Sequence, residues 1–292
     1  MNTTVGEALE RGYRRLVDSG IPRPSWEAGL LLAHAVERDA GWVLANREHP
    51  LRRESLALFL EAVERRARRV PLAYITGSKE FMSLPLRVDE RVLIPRPETE
   101  VLVETALALW RRNPSPALTV ADLGTGSGAI AVAIARWEPR CRVYATDISP
   151  AALEVAAENV SRLGVEGRVT LLAGDLLEPL RPLELEGHLD AILCNPPYVS
   201  EEEWERLGPE VREYEPPVAL LAGRDPLHFY RRLAGEAGPW LKPGGFVGVE
   251  VGLGLAGPAA DLFRRAGFER VGTVKDYAGI DRVVLGFAPL ES

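Results

Sequence analysis

The segment Asp190-Ala191-Ile192-Leu193-Cys194-Asn195-Pro196-Pro197-Tyr198 carries the most specific chemistry in this 292-residue chain. An apolar run ends in an asparagine, two prolines and a tyrosine. Each proline fixes its own φ and removes an N–H donor, and Pro196 biases Asn195 toward an extended backbone. The chain therefore leaves a strand as a stiff arm whose carbonyls are free to accept. The Asn195 side-chain oxygen and the Pro196 carbonyl could each take one N–H of a planar –NH2 group, with Tyr198 packed on its face. An amide nitrogen is a poor nucleophile because its lone pair is delocalised. Holding its plane and turning the lone pair toward an electrophile is worth up to about 7–11 kcal/mol in the best cases. A methyl on a sulfonium sulfur is such an electrophile and demands in-line attack. No strong base is needed, because the alkylated nitrogen becomes acidic enough to release its proton to water, and Asn195 could not serve as one. The competing reading is a plain turn after a buried strand, since Asn-Pro is a common turn former.

A second group lies upstream. Asp122-Leu123-Gly124-Thr125-Gly126-Ser127-Gly128-Ala129 closes an apolar run at 118–123. Glycines there let the backbone turn sharply and approach a ligand with no Cβ in the way. In a doubly wound sheet such a turn sits at the carboxyl ends of the strands, where ligands bind. Gly124-x-Gly126-x-x-Ala129 also satisfies the dinucleotide fingerprint, and a ligand-free strand-to-helix turn would look the same. Asp147 ends the next strand-like run, where an acid accepts from ribose hydroxyls. Asp175 ends the third and could accept from an adenine amino group, although a turn or helix-cap role suits it equally. These residues fit a nicotinamide cofactor as well as S-adenosylmethionine. A nicotinamide oxidoreductase leaves Asn195–Tyr198 without a purpose and lacks a catalytic His or Tyr-Lys pair. A binding module would hold cofactor without turnover.

Other reactive residues are unremarkable. Cys141 and Cys194 form neither a disulfide framework nor a metal cluster, and Cys194 reads as a buried strand residue. His34, His49, His188 and His228 show no ligand spacing, so no metal is expected. Arg65-Arg66-Ala67-Arg68-Arg69 reads as a solvated helix face, with a partner-binding patch in the less acidic domain as the alternative. The net charge of −7 is uneven: residues 1–90 hold 14 Lys+Arg and 13 Asp+Glu, the remainder 21 and 29. An acidic catalytic part argues against a nucleic-acid substrate. No apolar run is long enough to span a membrane, and no secretory leader is seen, so the expected location is cytoplasmic.

The elements needed to position these groups can be read from periodicity. Helical spacing covers 3–20, 25–46 and 53–69, giving a domain at 1–75. Gly77, Pro85 and the alternation in Leu84-Pro85-Leu86-Arg87-Val88 predict a linker with a short β-hairpin at 76–95. A helix from Pro97 to Trp110 opens the catalytic domain at 96–292, and Asn113-Pro114-Ser115-Pro116 breaks the chain. Strand-like runs follow at 118–123, 142–146, 169–173, 189–194, 245–251, 269–275 and 281–287. Helical patterns lie at 127–137, 150–163, 226–240 and 256–266. Such alternation predicts an α/β fold with a mostly parallel sheet covered on both faces. The short link between the last two runs predicts a reversed final strand.

The Asp122-x-Gly124-x-Gly126 and Asn195-Pro196-Pro197-Tyr198 motifs resemble those of class I methyltransferases acting on planar nitrogens, either adenine N6 or glutamine N5. Pro71-Leu72-Ala73-Tyr74-Ile75-Thr76-Gly77, Leu93-Ile94-Pro95-Arg96-Pro97-Glu98-Thr99-Glu100 and Asp276-Tyr277-Ala278-Gly279-Ile280-Asp281-Arg282 narrow the resemblance to the peptide chain release factor glutamine methyltransferases. The resemblance implies a Rossmann-like class I methyltransferase sheet of seven strands and a small all-α N-terminal domain that helps dock the release factor. It implies methyl transfer from S-adenosyl-L-methionine to the glutamine N5 of a Gly-Gly-Gln loop, a modification of the proteins of translation termination. Carried onto this chain, cofactor contacts fall on Asp122, Gly124, Thr125, Gly126, Ser127, Gly128, Asp147, Asp175, Leu176 and Asn195. Substrate contacts fall on Asn195, Pro196, Pro197 and Tyr198, with Asn195, Pro196 and Tyr198 as the catalytic set. Leu176 stands where an aromatic residue is sometimes found, which weakens stacking on adenine. Adenine-N6 methylation of DNA or RNA is the alternative.

Overall fold

Thr4 opens the first helix with a capping box: its hydroxyl accepts from the Glu7 N–H and the Glu7 carboxylate reaches back to the Thr4 N–H. The structure is a computed structural model describing residues 3–112 and 114–290, so Asn113 of the expected chain break lies outside the described residues. The chain divides into two compact units, residues 1–78 with 208–214, and residues 79–207 with 215–292.

The first unit holds α1 (Val5–Asp18), α2 (Pro24–Val36), α3 (Ala40–Ala45), α4 (Arg53–Ala67) and α5 (Leu72–Thr76). Val5, Ala8, Leu9, Gly12 and Leu16 form the buried face of α1 and pack with Leu31, Leu32, Phe59 and Val63. Gly12 permits this approach, because an added Cβ would stand 2.5 Å from Phe59 Cζ. The helix expected over 25–46 is two helices. Glu37 turns left-handed at φ 56 and ends α2, and the Asp39 carboxylate then caps α3 by accepting from the Trp42 N–H at 2.7 Å. Segment 208–214 joins this unit. Its Glu210 accepts from Arg66, which is also paired with the buried Glu27 at 2.5 Å.

The second unit begins within β1 (Ser78–Phe81), at Lys79, and β1 forms a hairpin with β2 (Leu84–Arg87). Its two turn residues, Met82 and Ser83, both have positive φ, 50 and 61, as a type I′ turn requires. Then come α6 (Pro97–Trp110), β3 (Leu118–Leu123), α7 (Ala129–Trp137), β4 (Cys141–Asp147), α8 (Pro150–Arg162), β5 (Val169–Ala173), β6 (Leu189–Cys194) and β7 (Val199–Ser200). The short α9 (Glu201–Trp204) follows; after α10 (Pro209–Arg212), which belongs to the first unit, come β8 (Leu221–Gly223), α11 (His228–Glu236), β9 (Leu241–Glu250), α12 (Ala256–Arg265), β10 (Glu269–Lys275) and β11 (Asp281–Phe287). The expected strands are present; β9 starts four residues before the expected 245. The pair β7–β8 is a separate small sheet that the periodicity did not signal.

The main sheet has seven strands in the order β10-β11-β9-β6-β3-β4-β5. Only β11 runs against the others, inserted between β9 and β10. Side chains alternate between faces. Val120, Ala191 and Leu193 pack with α6 and α7 on one side; Ala121, Ile192 and Cys194 pack with α11 and α12 on the other. The central neighbours β3 and β6 are parallel, and the chain departs from them in opposite directions across the sheet. That is the switch point at which doubly wound sheets open a crevice. Among the described residues no helix is long and apolar enough to cross a membrane.

Candidate active site

The carboxyl ends of β3, β4, β5 and β6 surround one cavity. Gly124, Thr125, Gly126, Ser127, Asp147, Asp175, Leu176, Asn195, Pro196 and Pro197 all line it. The turn after β3 is held by its neighbour: Thr125 N donates to Thr146 O at 2.9 Å, and Gly126 N to Asp147 Oδ2 at 2.8 Å. Gly124 and Gly126 are left-handed, at φ 69 and 56, and an added Cβ at either would meet nothing within 4 Å. Glycine is therefore required by backbone conformation, and it presents bare main chain to the open cavity.

Asp122 and Gly128 do not line the cavity. Asp122 is fully buried beneath the turn. Its Oδ2 accepts from Thr125 Oγ1 at 2.6 Å and from Ala131 N at 3.1 Å, while Oδ1 is a buried oxygen without a hydrogen-bond partner. Burial pushes its carboxyl up to about 7. Gly128 caps α7 at φ 80 and lets α7 approach α8, since an added Cβ would stand 3.2 Å from Ala156 Cβ.

Asp147 carries a backbone N–H on each carboxylate oxygen, Gly126 on Oδ2 and Ser149 on Oδ1 at 2.9 Å. Burial raises its pKa and these two donors oppose the rise. A carboxylate has about four acceptor positions, so each oxygen keeps a lone pair. Asp175 has a partner that its sequence context does not reveal: Arg232 of α11 donates to Oδ2 at 2.8 Å. Leu176, left-handed at φ 44, is buried, and its carbonyl accepts from Thr146 Oγ1 at 2.8 Å.

Asn195 and Tyr198 are tied to residues with no role in the sequence reading. Asn195 Nδ2 donates to Thr99 Oγ1 at 3.2 Å, and Thr99 donates to Glu250 Oε2 at 2.5 Å. Tyr198 Oη donates to Glu250 Oε1 at 3.4 Å. Tyr198 lies in a smaller adjoining cavity with Leu93, Arg96, Asn195, Pro196, Ala219 and Leu220. Burial pushes the Tyr198 phenol and the Cys194 thiol well above their usual values, so neither is an ionised nucleophile near neutral pH.

Two further buried groups brace the walls. Asn159 of α8 donates to Ser127 O at 2.8 Å and to Arg87 O at 2.9 Å, and accepts from Arg87 N at 2.6 Å. Glu215 accepts from the Ile94 N–H at 3.1 Å and from Arg96. Thr99 sits inside the Leu93–Glu100 motif, and Glu250 ends an apolar strand as Asp147 does, with Asp122 one residue short of the end of its own. That pattern is the one signal that could have found Glu250.

Comparison with known proteins assigns the chain to a methyltransferase family. Residues 7–77 match the family model "PrmC N-terminal domain", and residues 99–207 match "Methyltransferase small domain". A release factor glutamine methyltransferase of Moorella thermoacetica is 45 % identical over 97 % of this chain and 98 % of its own length. That of Geobacter sulfurreducens is 44 % identical over 97 % and 96 %, and that of Caulobacter vibrioides 40 % identical over 100 % and 99 %. Among solved structures, the hMettl16 catalytic domain aligns with a TM-score of 0.57 at 16 % identity, covering 78 % of this chain and 80 % of that one. A methyltransferase from Pyrococcus furiosus aligns at 0.50 and 19 % identity, covering 70 % and 89 %. These last two share the fold.

Proposed function

Because the chain belongs to the family of release factor glutamine methyltransferases, it is a methyltransferase of the release-factor glutamine side chain, and we propose how it does this. The acceptor is the N5 amide nitrogen of the glutamine in a Gly-Gly-Gln loop, and the donor is S-adenosylmethionine. The observation that carries the reading is that the Asn195–Pro197 arm and the Gly124–Ser127 turn border one cavity.

The residues present suit that donor. Gly124 and Gly126 leave space that no side chain fills. Asp147 keeps a lone pair on each oxygen for ribose hydroxyls, and Arg232 takes one oxygen of Asp175, leaving the other for an exocyclic amine. When bound, S-adenosylmethionine supplies a methyl made electrophilic by its sulfonium. The chain's own contribution is orientation. Asn195 Oδ1 and the Pro196 carbonyl accept the two N–H groups of the glutamine amide, which fixes its plane and points the nitrogen lone pair across the cavity. Pro196 and Pro197 stiffen the arm, and Tyr198 bounds the substrate side. No residue acts as base; the methylated nitrogen gives its proton to water. Substrate recognition by the helical unit and a cytoplasmic location, where release factors work, complete the reading. The adenine-N6 alternative is not favoured, given the names of the relatives.

The test is to incubate the purified chain with labelled S-adenosylmethionine and unmethylated release factor, then map the label by peptide mass spectrometry. A single methyl on the Gly-Gly-Gln glutamine is expected. Intact donor binding with no transfer to folded release factor would overturn the assignment.

A further inference from the structure

Behind the Asn-Pro-Pro-Tyr arm, buried side chains form one line of hydrogen bonds. Thr99 in the first turn of α6 is 4 % exposed, and Glu250 at the end of β9 is 1 % exposed. Thr99 Oγ1 donates to Glu250 Oε2 at 2.5 Å and accepts from Asn195 Nδ2 at 3.2 Å. Tyr198 donates to the other oxygen of the same carboxylate at 3.4 Å. The backbone carbonyl of Glu250 accepts from Tyr230 Oη at 3.1 Å, which pins the strand end.

A threonine hydroxyl has a single hydrogen. Once Glu250 takes it, the Thr99 oxygen can only accept, so the part of the Asn195 amide facing it must be the NH2. The flipped amide would bring two oxygens together with no hydrogen between them. Leaving a buried acceptor unpaired biases the two orientations by roughly 10- to 100-fold. We propose that Thr99 and Glu250 are positioning residues of the methyl-transfer site, whose buried relay turns the Asn195 oxygen toward the substrate nitrogen and tethers Tyr198 to the same carboxylate. The proposal rests on Asn195 being an acceptor for the substrate amide.

The relay has a direction, and a proton can reverse it. If Oε2 of Glu250 carries a proton, it donates to Thr99, and Thr99 donates to Asn195. The amide must then turn its oxygen inward and present N–H to the N–H of the substrate. Burial pushes the Glu250 carboxyl up to about 7. Glu98 on α6 adds to the rise, while Thr99 on α6, Tyr198 after β6 and Arg282 on β11 oppose it. Cys194 on β6 and Tyr230 on α11 also face Glu250, and both are un-ionised near neutral pH.

The experiment measures single-turnover methylation of release factor by the full chain, KM for release factor, and donor affinity by calorimetry. Thr99→Val leaves the two amide orientations about equal, so the turnover rate should fall only about twofold; with no hydroxyl to pass the Glu250 proton's effect to Asn195, its loss of rate at acid pH should vanish, while KM and donor affinity stay within about threefold. Thr99→Ser keeps the hydroxyl and should keep both the wild-type rate and its fall at acid pH. The wild-type rate should fall as pH drops below about 7, whereas Glu250→Gln should lose that acid limb. In that variant the carbonyl accepts from Thr99 and the NH2 faces Tyr198, so the direction no longer titrates. An unchanged acid limb in Thr99→Val or in Glu250→Gln overturns the relay. If Thr99→Val does not fold, the pH profile of Glu250→Gln decides alone. An active Asn195→Ala would sink the acceptor reading itself; an inactive Asn195→Ala beside a Thr99→Val that keeps the acid limb sinks only the relay.

Discussion

Replacing Gly252 by alanine tests whether the placement of Tyr198 governs the reaction. Gly252 lies just past β9 and has no left-handed backbone, so alanine adds no conformational strain. The added Cβ would stand 2.9 Å from Tyr198 Cδ2, 3.4 Å from Cε2 and 3.1 Å from Leu255 Cδ1. Carbon atoms pack best at about 3.5–4.0 Å, so the ring must retreat by roughly 0.5–1 Å. It cannot swing away freely, because its backbone follows two prolines and its hydroxyl is held by Glu250. A misplacement of 1 Å costs up to about 100-fold in rate, so Gly252→Ala should lower kcat by about 10- to 100-fold, or roughly 1.4–2.8 kcal/mol of barrier. Donor affinity should change little, because neither Gly252 nor Tyr198 lines the cavity of the glycine turn. The assay is single-turnover methylation at saturating donor and release factor, with donor binding measured separately. Gly257→Ala in α12, where an added Cβ meets nothing within 4 Å, is the matched control and should behave as wild type. A Gly252→Ala protein with wild-type kcat would refute the claim that Tyr198 must stay where Glu250 holds it.

Three other perturbations separate the roles of the remaining groups. Asn195→Ala should abolish turnover while donor affinity, read by calorimetry, stays within about tenfold, because orientation is lost more than binding. Asn159→Ala removes three hydrogen bonds and strands the Arg87 N–H and the Arg87 and Ser127 carbonyls. It should lower unfolding free energy in urea by about 2–4 kcal/mol and weaken donor binding through the loosened turn; a loss under about 1 kcal/mol would contradict the bracing role. Asp122 has a folded-state pKa raised to about 7, against about 4 when unfolded. The folded protein therefore binds that proton more tightly, and the resulting stability is complete below about pH 4 and lost as pH climbs through about 7. Asp122→Asn should accordingly gain in melting temperature relative to wild type between pH 5 and pH 8, and an equal difference at both pH values would show that Asp122 is not buried as described.

The order of strands and helices was legible because it is written in local periodicity: the runs at 118–123, 169–173 and 189–194 coincide with β3, β5 and β6. The parts that were not legible depend on partners far away in sequence or on backbone states without a residue signature. Glu37 ends α2 in a left-handed state with no glycine to announce it, and Met82-Ser83 forms a hairpin turn without asparagine or glycine. The 208–214 segment joins the helical unit through Glu210, which meets Arg66 at a separation of 144 residues. Thr99 and Glu250 are 151 residues apart, so neither could be seen as half of a pair.

The acids at the strand ends show why residue type and position do not by themselves assign a role. Four parallel strands end at or next to a carboxylate, and what satisfies each differs. Asp122 is met by the hydroxyl and N–H of its own turn and faces no cavity, so it shapes the loop. Asp147 takes one backbone N–H per oxygen, which holds the turn, and keeps lone pairs at the cavity wall, where the proposed donor would meet them. Asp175 is shared with a guanidinium, which fixes its direction and leaves one oxygen for a neutral donor. Glu250 is met by Thr99 and Tyr198, both adjoining the reactive arm. A buried carboxylate is costly unless hydrogen-bonded, so each of these positions requires its partners. Those partners, supplied by α6, α11 and the loops, are what divide four similar acids, on the proposed reading, among loop shape, donor binding and orientation of the attacking amide.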